Sequence, residues 1–379
     1  MFIRDALNLI RHKVESDERL SAAEGELLFG DEVDLHTVGE LAEVVRCRKH
    51  GNAAYYNLNA HLNPTNVCVY RCDLCAYSCD AEDPRAYTLG DEQLLARGQE
   101  AADAGCTELH IVGGAHPSKP FAWYVNMIRR LHAAFPRLHL KAFTAVEIAW
   151  FAQLTGRPVR AILEELKDAG VGSLPGGGAE IFDPLVRARI CPRKADAQTW
   201  LDVHRTAHEL GLRSNATMLY GHVETAAQRI DHLVRLRQLQ DRTGGFQALV
   251  PLAFHPENTR LAHLPKPSGL LDLRVIAVSR LMLDNFAHIK AYWISLGIGT
   301  AQIALGYGAD DLDGTVRRER IYHEAGAESP EVLSVEELRA LIVEADREPI
   351  ERDSLYRRVR RDGAEWEVDS GQCPVVSGQ

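Results

Sequence analysis

The chain has 379 residues, 46% hydrophobic and 25% charged, the composition of a globular protein with a sizeable core. Its net charge of −10 argues against a general nucleic-acid or anionic-membrane binder, and no apolar run approaches the roughly 20 residues that span a bilayer. The start, Met1-Phe-Ile-Arg-Asp-Ala6, lacks signal-peptide features, and eight cysteines with four clustered do not suit a secreted disulfide framework, so a cytoplasmic location is expected.

Residues 1–54 read as an N-terminal helical extension packed on the main body of the chain. Thr37-Val-Gly-Glu40 has capping-box spacing, and Gly51 after Arg48-Lys49-His50 is a helix stop. Tyr55–Leu62 alternates as a first strand and delivers the chain into a cysteine loop. Helix-period and strand-like stretches then take turns. Helical 91–105 leads to a strand over 108–114, and helical 121–135 to a strand over 138–144. Helical pieces over 148–154 and 159–169 lead to a strand over 171–175, and helical 197–210 to a strand over 213–220. Helical 226–241 leads to a strand over 246–254, and helical 270–285 to a strand over 289–294. A last strand is expected at Ile303–Leu305. This alternation specifies an α/β fold with a parallel sheet. Seven or eight units across residues 55–330 favour a (β/α) TIM-type barrel whose functional face lies at the C-terminal strand ends. Residues 331–379 read as a C-terminal extension: a helix over 335–345 and a partly disordered tail from about 362.

The densest chemical signal is the loop holding Cys68, Cys72 and Cys75. A short loop can wrap three such thiols around a cuboidal cluster. A [4Fe–4S] cluster usually takes four cysteines, so three leave one iron open to a substrate. Cys72, Cys75 and Cys79 form a competing triplet. Free cytosolic cysteines and a zinc site completed from elsewhere are the other readings, although no second Cys-x-x-Cys or paired Cys/His run of zinc spacing exists. Gly113-Gly114 and Gly176-Gly-Gly178 read either as close backbone approach to a ligand or as plain turns, and the latter is no phosphate loop. His204 and His208 share a helix face, read as solvated. Asp310–Gly314 resembles the start of a calcium loop, but Arg320 stands where its bidentate Glu belongs. His116, His222 and His255 follow different strands, with Lys141 and Lys290 on two others, so a cationic mouth for an anionic small substrate is expected. Glu147, Glu180, Glu224 and Glu257 face the same region and could hold an ammonium, ribose hydroxyls or protons.

The cysteine loop, Gly113-Gly114 after the second strand and the barrel rhythm together resemble the radical S-adenosylmethionine (SAM) superfamily, whose Cys-x₃-Cys-x₂-Cys signature Cys68, Cys72 and Cys75 match. The residue before the last cysteine is commonly aromatic there and is Leu74 here. Asn63-Pro-Thr-Asn-Val-Cys68, Ser173-Leu-Pro-Gly-Gly-Gly-Ala-Glu-Ile-Phe182, Ala216-Thr-Met-Leu-Tyr-Gly-His-Val-Glu-Thr225 and Pro251-Leu-Ala-Phe-His-Pro-Glu-Asn-Thr259 are similar to the aminofutalosine synthase family of menaquinone biosynthesis. Dehypoxanthine futalosine cyclases and FO synthase subunits are its close relatives. The resemblance implies a [4Fe–4S] cluster on Cys68, Cys72 and Cys75. It also implies SAM consumed as a co-substrate, and a 5′-deoxyadenosyl radical added to 3-[(1-carboxyvinyl)oxy]benzoate with loss of CO₂ or bicarbonate. The implied product is 6-amino-6-deoxyfutalosine, and the implied electron donor a flavodoxin or ferredoxin. By the same resemblance Gly113 and Gly114 lie along the SAM methionine, Leu74 or Tyr77 near the adenine, and Ser173, Glu180 and Met218 near ribose and adenine. His116, His222, His255, Lys141 and Lys290 are candidates for holding the substrate carboxylates, and Glu147, His222 and His255 for catalysis. A hydrogen-abstracting relative and a non-catalytic zinc- or iron-binding barrel are the rival readings.

Overall fold

A computed structural model describes residues 3–369, so the end of the tail, 370–379, lies outside the described residues. Three helices open it: α1 (Ile3–Glu15), α2 (Ala22–Leu28) and α3 (Leu35–His50). Two short strands follow, β1 (Ala53–Asn57) and β2 (Asn59–Leu62), and then the cysteine loop. The alternating body comprises α4 (Asp91–Asp103), β3 (Glu108–Ile111), α5 (Phe121–Ala134), β4 (His139–Ala142), α6 (Ala145–Thr155), α7 (Val159–Ala169), β5 (Val171–Leu174), α8 (Pro184–Ile190), α9 (Ala197–Glu209), β6 (Arg213–Tyr220), α10 (Ala226–Thr243), β7 (Phe246–Ala253), α11 (Gly269–Met282) and β8 (His288–Ile289). Beyond it come α12 (Trp293–Leu296), α13 (Ile298–Ala304), β9 (Asp311–Gly314), α14 (Ile321–Glu324), α15 (Val335–Glu344), β10 (Glu348–Glu351), β11 (Val359–Asp362) and β12 (Glu365–Val368).

β2 to β8 form one seven-stranded sheet in sequence order, every neighbouring pair parallel. Such a sheet, with a helical crossover between strands, curls into a partial barrel. Its strands are buried along almost their whole length, polar residues such as Asn59, Lys141 and Asn215 included. The crossover helices start where the sequence supplies caps: Thr144 with Glu147, and Thr225 with Gln228, form reciprocal capping boxes. No helix of the described residues is long and apolar enough to cross a membrane.

Several expectations need correction. Asp34, not the Thr37–Glu40 run, caps α3, its carboxylate accepting from the Thr37 N–H at 2.8 Å. The first strand is two strands in different sheets: β1 pairs with β9 and β10, while β2 opens the barrel sheet. The strand foreseen over 289–294 is two residues long and turns helical at Trp293, and Ile303 belongs to α13. Among the described residues the barrel sheet therefore stops at seven strands. The stretch after β8 fills the gap instead, through single bridges Lys290↔Asp311 and Ala60↔Arg317 to the two edge strands. β9 is Asp-Leu-Asp-Gly, poor in strand formers. It pairs because Arg352 and Lys290 neutralise Asp311 and Asp313 in the interior. Past α15 the extension returns as β10 beside β1, and an antiparallel hairpin of β11 and β12 occupies part of the expected disordered tail. His204 is fully buried, and it and His208 share the Ser214 hydroxyl at 2.8 and 2.7 Å, so their helix face is packed rather than solvated.

Candidate active site

A cavity of about 310 Å³ opens at the C-terminal ends of the strands, the face the barrel reading assigns to function. Cys68, Cys72 and Cys75 line it together with Leu74 and Tyr77; Cys79 does not. The backbone explains the difference. Cys79 accepts from the Cys68 N–H at 3.1 Å and donates to the Asn66 carbonyl at 3.0 Å, which ties the base of the loop and leaves its thiol buried. On the barrel side, Gly114 donates to the Thr65 carbonyl at 2.8 Å, and Val69 donates to Ala115 at 3.0 Å. A Cβ on Gly114 would stand 2.2 Å from the Val67 carbonyl oxygen, so only glycine lets the loop lie this close to the turn after β3.

The donor set discriminates between metals. A single zinc with sulfur ligands at about 2.3 Å brings its sulfurs within about 4 Å of one another. The cysteine thiols do not converge in that way: among the described residues only His50, His288 and Asp310 offer three ligand atoms all within 4.8 Å of each other. That trio is a structural network away from the cavity, with Asp310 also ion-paired to buried Arg280. Three soft donors spread around one cavity wall, with no fourth cysteine on it, fit a cuboidal cluster with an open position. Burial chiefly, with the neighbouring thiols, pushes the Cys72 thiol up to about 12 and raises Cys68, so these groups are neutral until a cation draws off their protons.

Gly113 and Gly114 line the cavity, and Glu147 reaches them from the first turn of α6. Its Oε1 accepts from the Gly113 N–H at 3.0 Å, and its Oε2 accepts from the Thr144 N–H and hydroxyl at 2.8 and 2.7 Å. Both oxygens are thus committed to holding the turn, although burial pushes the carboxyl up to about 7. Glu180 lines the wall in a left-handed conformation and ion-pairs with Lys194, a residue that carries no motif of its own in the sequence.

His255, Lys141 and Lys290 also reach the wall. Ser173, Met218, His116 and His222 do not. Ser173 bonds the His139 Nε2 at 2.7 Å, and Met218 is fully buried. The His116 Nδ1 accepts from the Ser118 N–H, and His222 is packed beside Glu224, its Nε2 against the Leu219 carbonyl. Glu224 pairs with Arg229, and neither it nor exposed Glu257 lines the cavity. Strand ends bring residues to one face, but the direction of each side chain is set by loop geometry that local spacing does not encode. The cationic mouth is overturned as well. Lys141 donates to Glu108 at 2.5 Å and Lys290 pairs with Asp313, both within the interior. Lys141, Lys194 and Lys290 face Glu108, Glu147, Glu180, Asp313 and Glu319 on the wall. Unforeseen polar members are His61, His110, Asn215, Thr217 and Tyr292.

Residues 62–236 match the model of the radical SAM superfamily, and residues 243–363 match the CofH/MqnC C-terminal region. The aminodeoxyfutalosine synthase of Thermus thermophilus is 46% identical over 355 residues, covering 93% of this chain and 95% of that protein. The 5-amino-6-(D-ribitylamino)uracil–L-tyrosine 4-hydroxyphenyl transferase of Methanopyrus kandleri is 39% identical over 352 residues, covering 92% and 94%. Among solved structures, the FeFe-hydrogenase maturase HydG of Carboxydothermus hydrogenoformans superposes with a TM-score of 0.72 over 93% of this chain and 81% of its own, at 15% identity, a likeness of fold.

Proposed function

This chain is an enzyme of the radical SAM superfamily, in the branch that holds the aminodeoxyfutalosine synthases, and on that premise we propose that it joins the 5′-deoxyadenosyl group of SAM to 3-[(1-carboxyvinyl)oxy]benzoate. Loss of one carboxylate as CO₂ or bicarbonate completes the formation of 6-amino-6-deoxyfutalosine for menaquinone synthesis, and SAM is consumed. The observation that carries the reading is a cavity wall bearing Cys68, Cys72 and Cys75, without Cys79, in a chain 46% identical to such a synthase over 93% of its length.

Cys68, Cys72 and Cys75 would hold a [4Fe–4S] cluster, which supplies one-electron reductive cleavage of the SAM sulfonium. The chain's own part is positioning. Gly114 admits the loop, and Glu147 fixes the Gly113 turn against which the methionine end of SAM would lie. Leu74 and Tyr77 flank the thiols, and Glu180 stands ready for ribose hydroxyls while Lys194 holds it ionised. Val112, Val250, Leu252 and Phe254 make an apolar wall that keeps water from the reacting carbons. A flavodoxin or ferredoxin would deliver the electron.

Substrate choice tests the reading. Anaerobically reconstituted protein, given reductant and SAM, should consume SAM with the enolpyruvyl benzoate and not with L-tyrosine plus 5-amino-6-(D-ribitylamino)uracil. The reverse preference would move the chain to the function named for the Methanopyrus relative.

A further inference from the structure

The substrate proposed above carries two carboxylates, yet the wall that must receive it offers no net positive charge. Both ammonium groups that the sequence puts forward are held by carboxylates of their own, Glu108 and Asp313. A further carboxylate at either lysine would meet the charge of that partner at short range. Recognition therefore falls to donors that are neutral, on the wall and not yet used.

Several side chains meet that description, Tyr70 and Ser78 on the cysteine loop and His61 on β2 among them, but two others stand on either side of β7. Asn215, on β6, is 5% exposed and lines the cavity, and its carboxamide has no hydrogen-bond partner among the described residues. Tyr292, between β8 and α12, is 6% exposed and lines the same cavity, and its hydroxyl is likewise without a partner among them. Neighbouring groups are spoken for by contrast: Thr217 donates to the Gly176 carbonyl, and the Tyr322 hydroxyl to the Ala253 carbonyl. Neither polar end is sealed inside the protein; both open on the cavity, so a ligand lying there can take their hydrogen bonds. Burial, with Glu319 and Asp313 nearby, keeps the Tyr292 phenol protonated and hence a donor. The strand order sets β7 between the two donors, so its Val250 and Leu252 offer an apolar strip flanked by hydrogen-bond donors.

We propose that Asn215 and Tyr292 are the carboxylate-recognising residues of this site, taking an aryl dicarboxylate whose ring lies on Val250 and Leu252. This rests on the function proposed above and names its recognition groups.

Equilibrium binding of 3-(carboxymethoxy)benzoate, an unreactive dianion of the same ring, to the reconstituted protein with SAM and no reductant tests it. Tyr292→Phe and Asn215→Ala should each weaken binding by about tenfold or more, as expected for a lost bond to a charged group. Asn215→Asp, which keeps the shape but sets a carboxylate against the ligand's, should weaken it further. Affinity for SAM should be unchanged in all three, and the melting temperature unchanged in Tyr292→Phe. Wild-type affinity for the dianion in Tyr292→Phe and Asn215→Asp would overturn the inference and leave the proposed function standing. A parallel loss of SAM affinity would overturn it too, since the residues would then support the whole cavity. No binding by the wild type would overturn the function and the inference together.

Discussion

The backbone N–H of Gly113 donates to Oε1 of Glu147 at 3.0 Å, a bond between residues 34 positions apart. It couples the turn after β3 to the capping box of α6, so one carboxylate closes a helix end and positions a stretch of cavity wall. Burial raises this carboxyl from 4.5 to about 7 despite three hydrogen bonds that favour its ionised form. A raised value means that its contribution to stability is complete below about 4.5 and is lost as pH rises through about 7. Glu147→Gln removes the titration. Thermal melts across that interval should show a steeper fall for the wild type than for the variant, and equal slopes would show that Glu147 does not titrate there.

The cysteines divide three to one. Cys68→Ala, Cys72→Ala and Cys75→Ala should each lose the cluster, read as about four irons and four sulfides per chain after anaerobic reconstitution. Cys79→Ala should retain it, because that thiol is off the cavity wall. Iron analysis with the brown absorbance of the reconstituted protein reads the result.

Two glycines on the wall should respond differently to one methyl group. In Gly114→Ala the new carbon meets the Val67 carbonyl oxygen at 2.2 Å and must push the cysteine loop away. In Gly177→Ala it meets only the Thr144 methyl at 3.1 Å. The first variant should fold with its iron content sharply reduced, and the second should load iron as the wild type does.

Asp310 holds the far side of the body together. Arg280 and His288 both pair with it, and the Ile289 N–H donates to it at 2.8 Å. Asp310→Ala would leave the fully buried Arg280 charge without its partner, a loss of about 3–5 kcal/mol. Denaturant unfolding should show a lower midpoint, with the spectrum of any loaded cluster unchanged under native conditions.

Much of this arrangement is legible in the chain itself. The strand–helix alternation is written in hydrophobic period and caps, and β6 and β7 end within one residue of the bounds the sequence predicts. The cysteine loop is legible because ligand chemistry demands both residue type and spacing. What is hidden depends on tertiary partners. The break at Leu58 sends β1 and β2 into separate sheets although the run is locally continuous. β9 is a strand because Arg352 and Lys290 neutralise its aspartates from distant positions. Lys141 and Lys290 look like free cations until Glu108 and Asp313 arrive beside them. Asn215 and Tyr292 carry no motif, and only the finding that their polar ends lack partners brings them forward.

The fate of the SAM 5′-carbon tests the central claim most directly. Reconstituted protein with reductant, enolpyruvyl benzoate and SAM labelled at that carbon should release methionine and place the label in an adenosylated adduct, one adduct for each SAM consumed. Label found solely in free 5′-deoxyadenosine would contradict the account and make this chain a hydrogen-abstracting member of its superfamily.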